Sequence, residues 1–200
     1  MRKIPILLIY SRFLLGFMLV VLSAFQIENY SIIAVILFTV GLLTDIFDGI
    51  IARHLNVSTE NLRRLDSSVD QIFFVLVLIA TFINSTQFFY TNRVELIVLI
   101  SVESLAYLIC FIKFKKEIAT HSISSKLWTL ILFATIIQLM LTKDSSKLFQ
   151  ICFYTGIVTR LEIIAIILVL RNWTNDVPSI YQAILLRKGK AIKRHKIFNG

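Results

Sequence analysis

Long apolar runs separated by short polar stretches make up most of the chain. A helix needs about 20 mostly apolar residues to cross a bilayer. Six runs approach that length: residues 4–25, 31–52, 68–90, 94–114, 126–142 and 148–170. The third is the clearest, because Gln71 to Asn92 contains no charged residue, and the fifth is the shortest. Backbone groups in lipid must bond within their own segment, so these runs predict helices. The alternating apolar and polar positions of a barrel strand are absent. The predicted fold is an all-α integral membrane protein with six transmembrane helices. The first run begins at Ile4 and continues past residue 20 without a small-residue cleavage pattern, so it reads as a retained helix and not a signal peptide.

Composition agrees with that pattern. The chain has 200 residues, of which 57% are hydrophobic and only 16% charged. A disordered chain needs the opposite mix, and an ordinary soluble domain carries about 25% charge. Yet the net charge is +9, from 21 Lys and Arg against 12 Asp and Glu. A basic balance fits either nucleic acid or an anionic membrane surface, and the placement of the bases selects the membrane. With both termini cytoplasmic, 16 of the 21 bases fall on the cytoplasmic side: Arg2 and Lys3, the 53–65 loop, the 113–126 loop and the tail from Arg171. Three face the other side (Arg93, Lys143 and Lys147), and Arg12 and Arg160 lie inside spans. The positive-inside rule then gives six helices with both termini in the cytoplasm. Residues 1–175 are read as the membrane domain and 176–200 as a basic cytoplasmic tail. In that tail Ile180, Ile184 and Leu185 share a helical face, so it reads either as an amphipathic segment on anionic lipid or as a solvated basic tail. Cys110 and Cys152 sit in apolar runs and read as buried thiols.

Acids inside membrane helices are costly and mark function. Asp45 and Asp48 lie near the end of the second run, and Asp66 and Asp70 at the start of the third. Spacings of three and four put each pair on one helix face. The two helices are consecutive and antiparallel, so four carboxylates can converge. Two readings are open. Four carboxylates with no cation repel one another, and hard oxygen donors of this kind suit Mg²⁺, Mn²⁺ or Ca²⁺. Alternatively, the acids are solvated at the membrane rim and paired with Arg53, Arg63 and Arg64. Gly49 and Ala52 share the face of Asp45 and Asp48, leaving room for a ligand or for close helix packing. Arg53 follows, either as a phosphate-reaching group or as a topology residue.

These residues resemble a known family. Asp45, Asp48, Gly49, Ala52, Arg53, Asp66 and Asp70 match seven of the eight fixed positions of D-x2-D-G-x2-A-R-x8-G-x3-D-x3-D, the signature of the CDP-alcohol phosphatidyltransferases. The departure is Leu62, where the family has its second glycine beside the nucleotide and diphosphate. The resemblance implies a membrane enzyme of phospholipid synthesis that moves a phosphatidyl group from a CDP-linked lipid donor to an alcohol and releases CMP. It implies two divalent cations, Mg²⁺ or Mn²⁺, held by Asp45, Asp48, Asp66 and Asp70, with Asp70 as the base that deprotonates the acceptor hydroxyl. Gly49 and Ala52 would line the cytidine pocket, and Arg53 would meet phosphate.

Weaker matches follow. Ile4-Pro5 and Arg12 are similar to the family's N-terminal Ile-Pro and buried Arg, and Lys126 and Thr129 to a Gly-Lys-x-x-Thr element whose Gly is Ser125 here. Glu103, Arg160 and Glu162 lie mid-span and are expected either to be paired within the bundle or to shape the acceptor pocket. The compact size is similar to that of bacterial members using CDP-diacylglycerol. Glycerol 3-phosphate is the leading acceptor, with inositol phosphate, serine and phosphatidylglycerol open. The implied setting is a bacterial inner membrane, with the site facing the cytoplasm and the chain as a homodimer. Nucleic acid is not expected as a partner. Two competing classes stand beside this one: a catalytically impaired paralogue acting as a membrane scaffold, which Leu62 favours, and a cation transporter, which the placement of the acids away from the midplane disfavours.

Overall fold

The computed structural model describes residues 4–55, 60–120, 122–190 and 192. They form helices α1 (Ile4–Ala24), α2 (Tyr30–His54), α3 (Glu60–Asn84), α4 (Thr86–Thr91), α5 (Arg93–Phe114), α6 (Ile123–Thr142), α7 (Ser146–Val169) and α8 (Ile180–Arg187). No strand occurs among the described residues. Among the described residues, five helices are long and apolar enough to span a membrane: Ile6–Ala24, Tyr30–Ile51, Arg93–Phe114, Ile123–Thr142 and Ser146–Val169. Ser68–Asn84 is a shorter apolar stretch. Large apolar side chains such as Leu7, Leu130 and Val158 lie more than half exposed. A soluble protein rarely presents such faces contiguously; lipid covers them.

The third apolar run differs from its predicted course. Its helix starts early, at Glu60, and ends at Asn84, and a separate short helix, α4, follows. The break has a local cause. The Asn84 side chain donates to Ser23 Oγ and to Ala80 O, and Thr86 Oγ1 donates to Phe82 O at 2.9 Å. Side chains that bond the neighbouring backbone compete with the helical ladder. Elsewhere the turns fall at left-handed residues: Gln26 and Asn29 between α1 and α2, Lys115 after α5 and Lys143 after α6.

The chain divides into two compact units. The first comprises Met1–Phe89 and Ile136–Asp144. In it α1 packs against both α2 and α3. Two glycines, Gly16 on α1 and Gly41 on α2, make room for Phe73 of α3. A Cβ on Gly41 would fall 2.3 Å from Phe73 Cζ, and one on Gly16 would fall 3.1 Å from Phe73 Cδ2. Phe73, buried, fills both gaps and stacks on Phe38 with ring centroids 6.2 Å apart. Small residues at such crossings let helix backbones close without a side chain between them. The packing brings the start of α3 and the end of α2 to one end of α1, where the acids lie.

The second unit comprises Tyr90–Thr135 and Ser145–Gly200. Here α5 packs on α7, and α7 on α8. Cys110, Ile163 and Ile167 form one buried cluster, and Ile166, Leu170, Val177 and Ala183 another. Both cysteines are buried and unbridged. Trp128 Nε1 donates to Cys152 O at 3.0 Å beside Gly156, where a Cβ would come within 2.6 Å of the indole nitrogen. The mid-span charges are paired as expected: Arg160 with Glu103, and Glu162 accepting from Ser124 Oγ. Arg160 also lies 4.5 Å over the Trp128 ring. Within the tail, Ala183 and Leu186 turn toward the α7 cluster, whereas Ile180, Tyr181 and Ile184 face outward.

Candidate metal and phosphate site

Asp45 and Asp48 lie three residues apart near the end of α2, and Asp66 and Asp70 four apart early in α3, so each pair shares a face. The packing of α1 between these helices places Arg12 against both. Its side chain is wholly buried, an exceptional position for a guanidinium. Nη1 donates to Asp45 Oδ1 at 2.7 Å and to Asp70 Oδ1. Nη2 donates to Asp48 Oδ2 and Asp66 Oδ1. One fork thus gathers all four carboxylates predicted to converge, a use of its planar donors that a lysine could not reproduce. Asp48 is buried, with its side chain 3% exposed, whereas Asp45, Asp66 and Asp70 remain about a third exposed. The cluster is therefore reachable from the polar side while its floor is closed.

Arg12 is the residue whose role sequence reasoning missed. The bases sought as partners for the acids were Arg53, Arg63 and Arg64, their neighbours along the chain. The pairing observed among the described residues comes from α1, 33 to 58 residues away; the side chains of Arg53, Arg63 and Arg64 lie outside that set. The available signal was an ionisable residue inside an apolar span, which is held there only by partners.

The donor set fits divalent cations. Ligand oxygens of Asp45, Asp48 and Asp66 lie within 4.8 Å of one another. Among the described side chains, one guanidinium against four carboxylates leaves three formal negative charges in the cluster. Arg12 Nε is buried without a partner among the described residues, so the guanidinium does not complete a closed hydrogen-bond network. All-oxygen donors with an excess of negative charge suit Mg²⁺ or Mn²⁺.

The other sequence candidates fall as follows. Gly49 is half-buried on α2 next to Asp48. Ala52 and Arg53 continue the α2 backbone, and their side chains lie outside the described set, as do those of Arg63 and Arg64. Leu62 is half-buried in the first turn of α3, on the same helix as Asp66 and Asp70. Lys126 and Thr129 occupy the first two turns of α6 in the second unit; Thr129 is exposed and donates from Oγ1 to Ser125 O at 2.9 Å.

No curated protein and no solved structure matches the chain. One family model does: CDP-alcohol phosphatidyltransferase, over residues 2–173. That span contains α1 to α7, the four aspartates and Arg12. The family transfers substituted phosphate groups in phospholipid synthesis, acts on a CDP-linked donor and an alcohol within a lipid membrane, and is generally dependent on divalent metals. Its membrane setting agrees with the five described helices that are long and apolar enough to span a membrane. Since the match covers far more than half of the sequence and includes the aspartate cluster, the chain belongs to the CDP-alcohol phosphatidyltransferases.

Proposed function

We propose that this protein transfers a phosphatidyl group from CDP-diacylglycerol to a small alcohol, with glycerol 3-phosphate the first candidate, and releases CMP. The observation that carries the reading is the convergence of Asp45, Asp48, Asp66 and Asp70 on the single buried Arg12, with negative charge in excess. In this reading Asp45, Asp48 and Asp66, with Asp70 beside them, hold two divalent cations, Mg²⁺ or Mn²⁺. When bound, the ions neutralise the diphosphate and the charge that develops on departing CMP.

The chain's own residues do the rest. Asp70 takes the proton of the acceptor hydroxyl as its oxygen attacks the lipid-side phosphorus. A P–O bond to the acceptor forms, the P–O bond to CMP breaks, and CMP leaves with that electron pair. The partial exposure of Asp70 is consistent with access for a polar acceptor. Gly49 and Ala52 leave space for the cytidine, Arg53 meets a donor phosphate, and Lys126 and Thr129 meet a phosphate on the acceptor. The site faces the cytoplasm of a bacterial inner membrane, and the chain works as a homodimer.

Leu62 favours one competing reading, a scaffold that kept the fold and lost the chemistry. The two are separated by incubating purified protein with CDP-diacylglycerol, Mg²⁺ or Mn²⁺, and a panel of glycerol 3-phosphate, inositol phosphate, serine and phosphatidylglycerol. CMP release with one acceptor supports the enzyme and names its substrate. No CMP with any of them supports the scaffold, and metal flux in liposomes would support a transporter instead.

A further inference from the structure

A second site, with a basic lining, lies in the second unit. A cavity of about 670 Å³ opens between the end of α7 and the end of α8, within the range of about 300–1,000 Å³ typical of small-ligand sites. Its walls carry Arg171, Arg187 and Lys188, and none of its lining residues is acidic. Asn172 and Thr174 add polar side chains. Its apolar floor is fixed: Leu170 is buried in the cluster with Ile166, Val177 and Ala183, and Leu186 packs against it. Arg187 is anchored by donating from Nη1 to Val169 O at 3.3 Å, at the negative end of the α7 dipole. That bond occupies one of five guanidinium donors. At Gly189 the chain turns with φ +73°, and an added Cβ would meet nothing within 4 Å, so this rim is open.

The location identifies the ligand. α7 is long and apolar enough to span a membrane and ends at Val169, one residue before the cavity begins. Ile180, Tyr181 and Ile184 project outward from α8, and an exposed tyrosine among aliphatic residues is characteristic of the headgroup level. Three cations at that depth, beside apolar side chains, face the layer where lipid phosphates lie. We propose that this cavity binds the phosphate of an anionic lipid headgroup, with Arg171, Arg187 and Lys188 as the charged contacts and the outward residues of α8 against the acyl chains. The site is independent of the transferase reading, since it uses neither the aspartates nor a CDP-linked donor.

The test uses the full chain in phosphatidylcholine nanodiscs containing a minority of phosphatidylglycerol, with lipid retained on the protein after detergent exchange counted by mass spectrometry. Wild-type protein retains phosphatidylglycerol preferentially. The triple variant Arg171→Gln, Arg187→Gln, Lys188→Gln reduces that preference by about tenfold or more, as expected for three cations near the membrane surface. A control that removes the same charge outside the cavity, Lys115→Gln, Lys116→Gln, Lys190→Gln, leaves it intact. No preference in the wild type, or equal loss in both triples, overturns the site. Inorganic phosphate bound at the cavity without lipid enrichment overturns the lipid assignment. Thermal melting verifies that the triple is folded; if it is not, Arg171→Gln alone, at an exposed position, is read against Lys190→Gln.

Discussion

Replacing Arg12 with Gln separates the two roles that the structure gives this side chain. Its guanidinium holds four carboxylates in place, and it also puts a positive charge at the proposed cation site. The pair with Asp48 is buried on both sides, at 0% and 3% exposure. Removing one partner of such a pair costs about 3–5 kcal/mol, because the remaining charge is left without compensation. The pairs with Asp45, Asp66 and Asp70 are about a third exposed, so water screens them and each adds at most about 1 kcal/mol. In EDTA the variant should therefore melt about 10 °C below the wild type, at roughly 2–4 °C per kcal/mol for a chain of this size. Divalent cations reverse the comparison. With Arg12 gone, all four negative charges face the metal, and two cations neutralise them. Cations that bind only the folded protein stabilise it by about 2.7 kcal/mol at a hundred times their Kd. Saturating Mn²⁺ should restore most of the lost stability, and calorimetric titration should show tighter Mn²⁺ binding by the variant than by the wild type. Arg12→Lys keeps the charge without the fork and should fall between them. The reasoning is refuted if Arg12→Gln melts with the wild type in EDTA, or if its deficit is the same with and without Mn²⁺.

Three further outcomes are expected. Asp70→Asn should abolish CMP release while leaving the melting profile and helix content intact, and retained activity would remove Asp70 as the base. Leu62→Gly should leave CMP release equal or higher at a given donor concentration, since it restores the family's residue beside the nucleotide; a sharp loss would mean that the donor site is organised differently. Gly41→Ala should destabilise the protein by about 1–3 kcal/mol in a melting assay, because its Cβ would meet Phe73 at 2.3 Å and Phe73 is also confined by Gly16; an unchanged melting temperature would show that Phe73 can retreat.

What the sequence made legible follows from the physics involved. Apolar length is a local property, so α1, α2, α5, α6 and α7 stand close to their predicted ranges. The cost of charge in lipid is equally plain: it marked Glu103 and Arg160 as needing partners, which they find in each other, and it raised the convergence of the four aspartates as one of two readings. The break at Ser85 was invisible because no charge or proline marks it; it rests on Asn84 and Thr86 bonding backbone carbonyls. The identity of the aspartates' partner was hidden for a different reason. Contact with Arg12 is decided by which helix packs against both α2 and α3, and spacing along the chain does not tell that α1 is that helix. The basic cavity was likewise unreadable, because spacing alone does not tell that Ala183 and Leu186 turn inward and leave Arg187 and Lys188 on its rim.

The most direct test of the central claim is CMP formation by the purified protein with CDP-diacylglycerol and glycerol 3-phosphate, measured with Mn²⁺, with EDTA, and in the Asp48→Asn variant. The account predicts CMP together with a phosphatidyl product in the presence of Mn²⁺, and none in EDTA or with the variant. CMP release that persists in EDTA or without Asp48 would contradict it.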